Sequence, residues 1–274
     1  MKHLFFFCLA GLLTIQVQAY AIELTPAQKI AAQKVTIITT TSPIPSNPDT
    51  KMLEMTQASL YKIPEFVECP KIIVFDGIPH RQKHMTKQYE QYKRNMEKLT
   101  QTHPHFKNSQ LVYCKEHEHL TGAIKEAMKH VKTPFVFIHQ HDFEIILPID
   151  VTNLIKSMEH NPRLKHVKLN QWKNRGKKLS AGDNFVPLCR AFIWSDNDHF
   201  SPVGYYREFI FDKVKGKVPM EKVLARWEKT LVKSNDLDLV DETFGTYLYG
   251  PYGTGPYIRH LDGKTFKKSP TEEG

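Results

Sequence analysis

The sequence predicts a single α/β domain with a mostly parallel central sheet and helices on both faces. Three observations carry this expectation. Short β-branched and apolar runs alternate with stretches of helical length, the pattern of successive βαβ crossovers. The runs are apolar at consecutive positions, as in strands covered on both faces. Several then stop abruptly at polar residues, Asp76 after one run and His139, His141 and Asp142 after another, and strand ends are where open α/β sheets bind ligands.

Residues 1–21 come first: Lys2, an apolar stretch from Leu4 to about Ile15, then small residues up to Ala21. This is the make-up of a cleaved signal segment, and its apolar part is shorter than the roughly 20 residues needed to span a bilayer. The mature chain is therefore expected in the secretory pathway or outside the cell, in a bacterial periplasm or a eukaryotic lumen. No later segment is apolar enough to span a membrane, so no stable span is expected after cleavage.

Val35 to Thr41 is a β-branched run that empties into the proline-rich loop Ser42 to Pro48. Thr50 to Lys62 reads as a helix, Lys71 to Gly77 as a strand with its own turn, and Gln82 to about Gln101 as a long polar helix. Ser109 to Cys114 gives a third strand and Leu120 to Val131 a helix. The fourth strand starts at Phe135 and runs into His139-Gln140-His141-Asp142. On an extended chain His139 and His141 project to one side and Asp142 to the other unless the backbone turns, so three metal-ligating side chains are expected at one spot. Beyond Pro148 the pattern loosens to a helix at Val151 to Glu159, a strand at His166 to Leu169 and a helix at Pro219 to Lys229. No linker divides the chain.

The formal charge is +9, or +8 once Lys2 leaves, which favours acidic partners such as phosphates, nucleotides and anionic glycans. Lysines are spread along the chain instead of clustering with aromatics, so no nucleic-acid partner is expected. Cys69, Cys114 and Cys189 remain in the mature chain; three thiols cannot all pair, so the fold does not rest on a disulfide framework.

In order and spacing these residues resemble the GT-A fold of nucleotide-sugar glycosyltransferases, especially family-2-like members, over Lys34 to Asp262, leaving 263–274 as a tail. The resemblance implies transfer of a sugar from a nucleotide-sugar donor to an acceptor hydroxyl on a glycan, lipid or protein. It places Thr40, Thr41 and Ser42 in the nucleotide loop, Asp76 at the base, and Gly122 in a helix opening, His119-Leu120-Thr121-Gly122-Ala123, similar to the family's. His139 and His141 stand where the family carries Asp-x-Asp, with Asp142 next. This donor set implies a divalent cation, Mn²⁺ rather than Mg²⁺, on Asp142, His141 and a late His260, because imidazoles suit borderline transition metals. Asp241-Glu242 resembles the family's acidic element under the acceptor, with Glu242 the preferred general base. Trp172 and Arg175 are expected on the acceptor side. Two other readings compete: a carbohydrate-binding protein on a degenerate scaffold, motivated by the missing Asp-x-Asp, and a secreted metal-dependent hydrolase using the His-rich strand end.

Overall fold

The structure, a computed structural model, describes residues 23–175, 177–178 and 184–261. The expected signal segment and C-terminal tail lie outside the described residues. A helix precedes Lys34. Helix α1 (Pro26–Ala32) is opened by a capping box, in which Thr25 accepts from the Gln28 amide while Gln28 returns to the amide of Thr25.

The first half follows the expected order: β1 (Val35–Thr41), α2 (Lys51–Leu60), β2 (Lys71–Phe75), α3 (Thr86–Thr102), β3 (Ser109–Tyr113), α4 (His119–Ala127) and β4 (Phe135–Gln140). The second half holds α5 (Val151–His160), β6 (His166–Lys168) and α7 (Met220–Lys233) where helix, strand and helix are expected. It also adds short pieces that no periodicity announced: β5 (Phe143–Ile145), β7 (Lys177–Lys178), β8 (Leu188–Arg190) and β9 (His199–Pro202). A π-helical stretch at Tyr205–Ile210 leads into α6 (Phe211–Lys213), and α8 (Leu237–Thr243), β10 (Thr246–Tyr249) and β11 (Ile258–His260) complete the chain.

The main sheet has nine strands in the order β3-β2-β1-β4-β9-β6-β10-β8-β7, and β5 pairs with β11 in a separate ribbon. Seven of the nine point the same way, since only β9 and β8 run antiparallel to their neighbours. The sheet is thus mostly parallel, with helices around it.

Every residue of β1 and β2 is buried, as continuous apolar runs require. Alternate side chains serve two cores. Val35, Ile37, Phe135 and Phe137 face Phe66 and the α5 residues Leu154, Ile155 and Met158. Ile38, Ile72, Val136 and Ile138 face Ala123, Ile124 and Ala127 of α4, together with Tyr206, Leu224 and Phe244. Truncating a buried phenylalanine such as Phe137 to alanine costs about 3–5 kcal/mol. Gly245 turns the chain into β10 at a φ of +49°, and a Cβ there would collide with the Arg163 carbonyl, so this corner requires glycine.

Candidate functional site

A cavity of about 260 Å³ opens at the C-terminal edge of β1, β2 and β4. Thr40, Thr41, Ser42, Asp76, Gln140 and His141 line it from the strand ends, His119, Leu120 and Ala123 from α4, and His117 and Asp196 from loops. A larger groove of about 470 Å³ lies against Lys125, Lys129 and Arg207. We centre the site on the smaller cavity because the polar strand ends converge there.

The β1 end is stiffened from below. Gln57 Nε2 donates to Thr39 Oγ1 at 2.9 Å, and the hydroxyls of Thr41 and Tyr92 meet at 3.2 Å. Asp76 is held on both oxygens. Its Oδ1 accepts from the amides of Gly77 (2.8 Å) and Glu118 (2.7 Å), and its Oδ2 lies 2.7 Å from His117 Nδ1. The His117 and His119 rings are 4.1 Å apart. The sequence singled out His119 only as the first residue of a helix opening and His117 not at all, although the alternation Glu116-His117-Glu118-His119 running into that helix was a visible signal.

The end of β4 departs from expectation. His139 shares the sheet face of Phe137, is fully buried, and its Nδ1 lies 2.6 Å from Asp198 Oδ2. Its Nε2 is buried without a hydrogen-bond partner. The strand ends at Gln140 and a turn at residues 141–142 rotates the chain, so the period-2 rule stops applying. His141 is left in the cavity with its amide donating to the Thr40 carbonyl at 3.1 Å. Burial pushes the His141 imidazole below its ordinary value, with Asp142 opposing.

Asp142 and His260 do meet. Pairing of Phe143 with His260 in the β5–β11 ribbon sets their spacing, and His260 Nε2 lies 3.1 Å from Asp142 Oδ2. Asp142 Oδ1 and His141 Nδ1 are buried without a hydrogen-bond partner. The orphaned Asp142 Oδ1 and His141 Nδ1, beside the Asp142–His260 pair, are donor types that suit a divalent cation of the borderline class. Among the described residues no three His, Cys, Asp or Glu side chains already form a ligand cluster, so further ligands would come from elsewhere.

Asp198 organises the opposite wall. Its Oδ1 accepts from the Gln140 amide at 2.9 Å, and Gln140 Nε2 donates to the Asp196 carbonyl at 2.7 Å. This leaves the Asp196 carboxylate lining the cavity. Burial, with the charges of Glu221 and Asp142 adding to it, pushes that carboxyl up to about 6.

No family model matches the chain, and no curated protein matches it. Solved structures do. One is S. aureus TarS residues 1–349, 12% identical over 83% of this chain and 60% of that chain, with a TM-score of 0.50. The fold is that of the GT-A glycosyltransferases. A Pyrobaculum calidifontis mannosyltransferase in complex with GDP-Man and Mn²⁺ is 15% identical over 80% of this chain and 55% of that one, at a TM-score of 0.48. The chain thus spans well under two thirds of either neighbour's length.

Within this GT-A fold, the other expected site residues lie outside the lining of this cavity. Gly122 is not in the cavity: it sits on another side of α4, lining a separate pocket with Tyr113, Cys114 and Lys115. Helix geometry puts Ala123, one residue and about 100° further round, into the site instead. Asp241 and Glu242 lie at the opposite edge of the sheet. β10 runs parallel to β6, and thus to β4, so α8, which leads into β10, sits at the N-terminal edge. There Arg190 pairs with Asp241 at 2.7 Å, and Lys165 reaches the Glu242 carbonyl. Trp172 and Arg175 follow β6 at the correct edge but line their own pocket of about 480 Å³, with Asn170 and Lys173.

Proposed function

We propose that this protein transfers a glycosyl group from a nucleotide sugar to an acceptor hydroxyl. The observation that carries this reading is the meeting of Thr40, Thr41, Ser42, Asp76 and His141 around one cavity at the C-terminal edge of a GT-A sheet. The nucleoside lies by Asp76, His117 and His119, and the diphosphate between the β1 loop, the N-terminus of α4 and the β4 end. The helix N-terminus favours an anion there. Asp142 and His260, with His141 beside them, would hold a divalent cation, Mn²⁺ in preference to Mg²⁺, which when bound would supply positive charge to the diphosphate leaving group.

The acceptor hydroxyl attacks the anomeric carbon, forming the new C–O bond as the sugar–phosphate bond breaks. Asp196 takes the hydroxyl proton, the role the sequence reading gave to Glu242. A carboxylate with a raised pKa is the better-matched base, and this one lines the cavity. The reading places the reaction in a secretory compartment, as residues 1–21 imply.

A specific observation also favours a binding protein without catalysis: His139 is withdrawn into a buried pair, and no ligand cluster stands preformed among the described residues. One experiment decides. Thermal denaturation of the mature chain is followed with a panel of nucleoside diphosphates, with and without Mn²⁺, because a ligand that binds only the folded state raises the midpoint. A Mn²⁺-dependent rise with one nucleotide is expected. No rise with any of them would sink the transferase reading and leave the binding protein.

A further inference from the structure

The loops that follow β6 and β10 are strapped together by one residue. Asn174 is fully buried, and its Nδ2 donates to the carbonyls of Tyr249 (2.7 Å), Gly250 (3.1 Å) and Pro251 (3.3 Å). Its backbone amide donates to the Thr254 carbonyl at 2.7 Å, and its own carbonyl accepts from the Gly253 amide at 2.9 Å. The Tyr257 amide closes the other end on the Asn170 carbonyl at 2.9 Å. Gly255, at a φ of +97°, lets the chains approach until a Cβ there would stand 2.9 Å from the Trp172 carbonyl oxygen.

On this fixed frame Trp172 is 75% exposed, and the strapped loop carries Tyr252 at 61%. Leaving a large apolar side chain in water forgoes roughly 1.5–3 kcal/mol of burial, and a loop pinned by buried hydrogen bonds cannot turn its indole inward to recover it. Among the described residues, the pocket of about 480 Å³ beside Trp172 is lined by Asn170, Lys173 and Arg175: an amide, two cations and no acid. β6 lies two strands from β4, about 10 Å across the sheet, and its C-terminal end points to the same edge as the donor cavity.

We infer that this pocket is the acceptor subsite and that the acceptor is an anionic glycan. The inference rests on the transferase reading and names its substrate class. The indole stacks on the apolar C–H face of a sugar ring, Asn170 meets hydroxyls, and Lys173 and Arg175 meet carboxylate, sulfate or phosphate groups on the same chain. A single-stranded nucleic acid would share the charge and the stacking, but it needs a run of aromatic platforms along a basic groove, and here one indole stands over a compact pocket.

The test is calorimetric titration of the mature protein with an oligogalacturonate, a neutral malto-oligosaccharide of equal length and oligouridylate, with nucleoside diphosphate binding measured on every variant. Oligogalacturonate should bind most tightly and weaken with salt. Trp172→Ala and Arg175→Gln should each weaken it at least tenfold, Trp172→Phe should retain most of it, and nucleoside diphosphate binding should not change. Equal binding of the neutral oligosaccharide, tighter binding of oligouridylate, or indifference to both substitutions would overturn the inference. Intact nucleoside diphosphate binding with no oligosaccharide binding overturns the subsite alone; loss of nucleotide binding in the wild-type protein takes the transferase reading with it.

Discussion

Asp142 is the side chain whose removal should be felt most. Asp142→Ala is expected to abolish donor turnover and the Mn²⁺-dependent rise in the thermal midpoint, and full activity in this variant would refute its assignment as a metal ligand. Asp196→Asn should lower kcat by about 10²-fold or more with little change in donor KM, since it removes a proton acceptor and not a donor contact. The wild-type rate should rise with pH through about 6, because the base acts only when ionised and burial raises its pKa to that value. Glu221 and Asp142 are the charges that act on this carboxyl, and Asp76, His117, His119 and His141 share the cavity lining with it. A kcat profile that is flat from pH 5 to 8 would exclude Asp196 as the base. The reason sequence reasoning preferred Glu242 is physical: the adjacency Asp241-Glu242 is visible in the chain, but the direction in which the following strand runs is not. Asp196 was visible only as one of several acids in a polar stretch, Ser195 to His199.

The elements that sequence reasoning found are those whose signal is local. β1, β2 and β4 announce themselves by consecutive apolar residues, and their polar ends mark the site within a residue or two. The strands it missed are β5, β7, β8, β9, β10 and β11, two to four residues each, too short for any periodicity and held in place by pairing with other segments. The loop strap belongs to the same class: nothing in Lys173-Asn174-Arg175 reveals that Asn174 spans to residues 249–251. Asn174→Ala leaves buried carbonyls unpaired and should cost about 2–3 kcal/mol in urea denaturation. It should also raise acceptor KM while leaving nucleoside diphosphate binding intact. Unchanged stability and KM would show that the strap does not hold the acceptor side.

Across the whole molecule, stability should depend on pH in an uncommon way. Glu228 is fully buried, and burial pushes it up to about 7 even though the Lys168 charge opposes this. A carboxyl raised on folding favours the protonated native state, so its contribution is full below the unfolded pKa of about 4.3 and is lost as pH climbs to 7. Burial lowers Lys168 to about 8, so its own contribution returns only above that pH, towards 10.4. The unfolding free energy should therefore dip between about pH 7 and 8, and Glu228→Gln should raise it there by roughly 2–3 kcal/mol while changing little at pH 5. Equal gains at both pH values would point to packing instead of charge. A different consequence follows from Asp198. Its side chain grips His139 and the Gln140 amide at the end of β4, while its carbonyl takes the Leu169 amide where β6 gives way to the acceptor loop. Asp198 is thus a keystone between two strand ends: under the transferase reading, a sugar seated at one is registered against a hydroxyl presented at the other, and neither end can drift without pulling on the same residue.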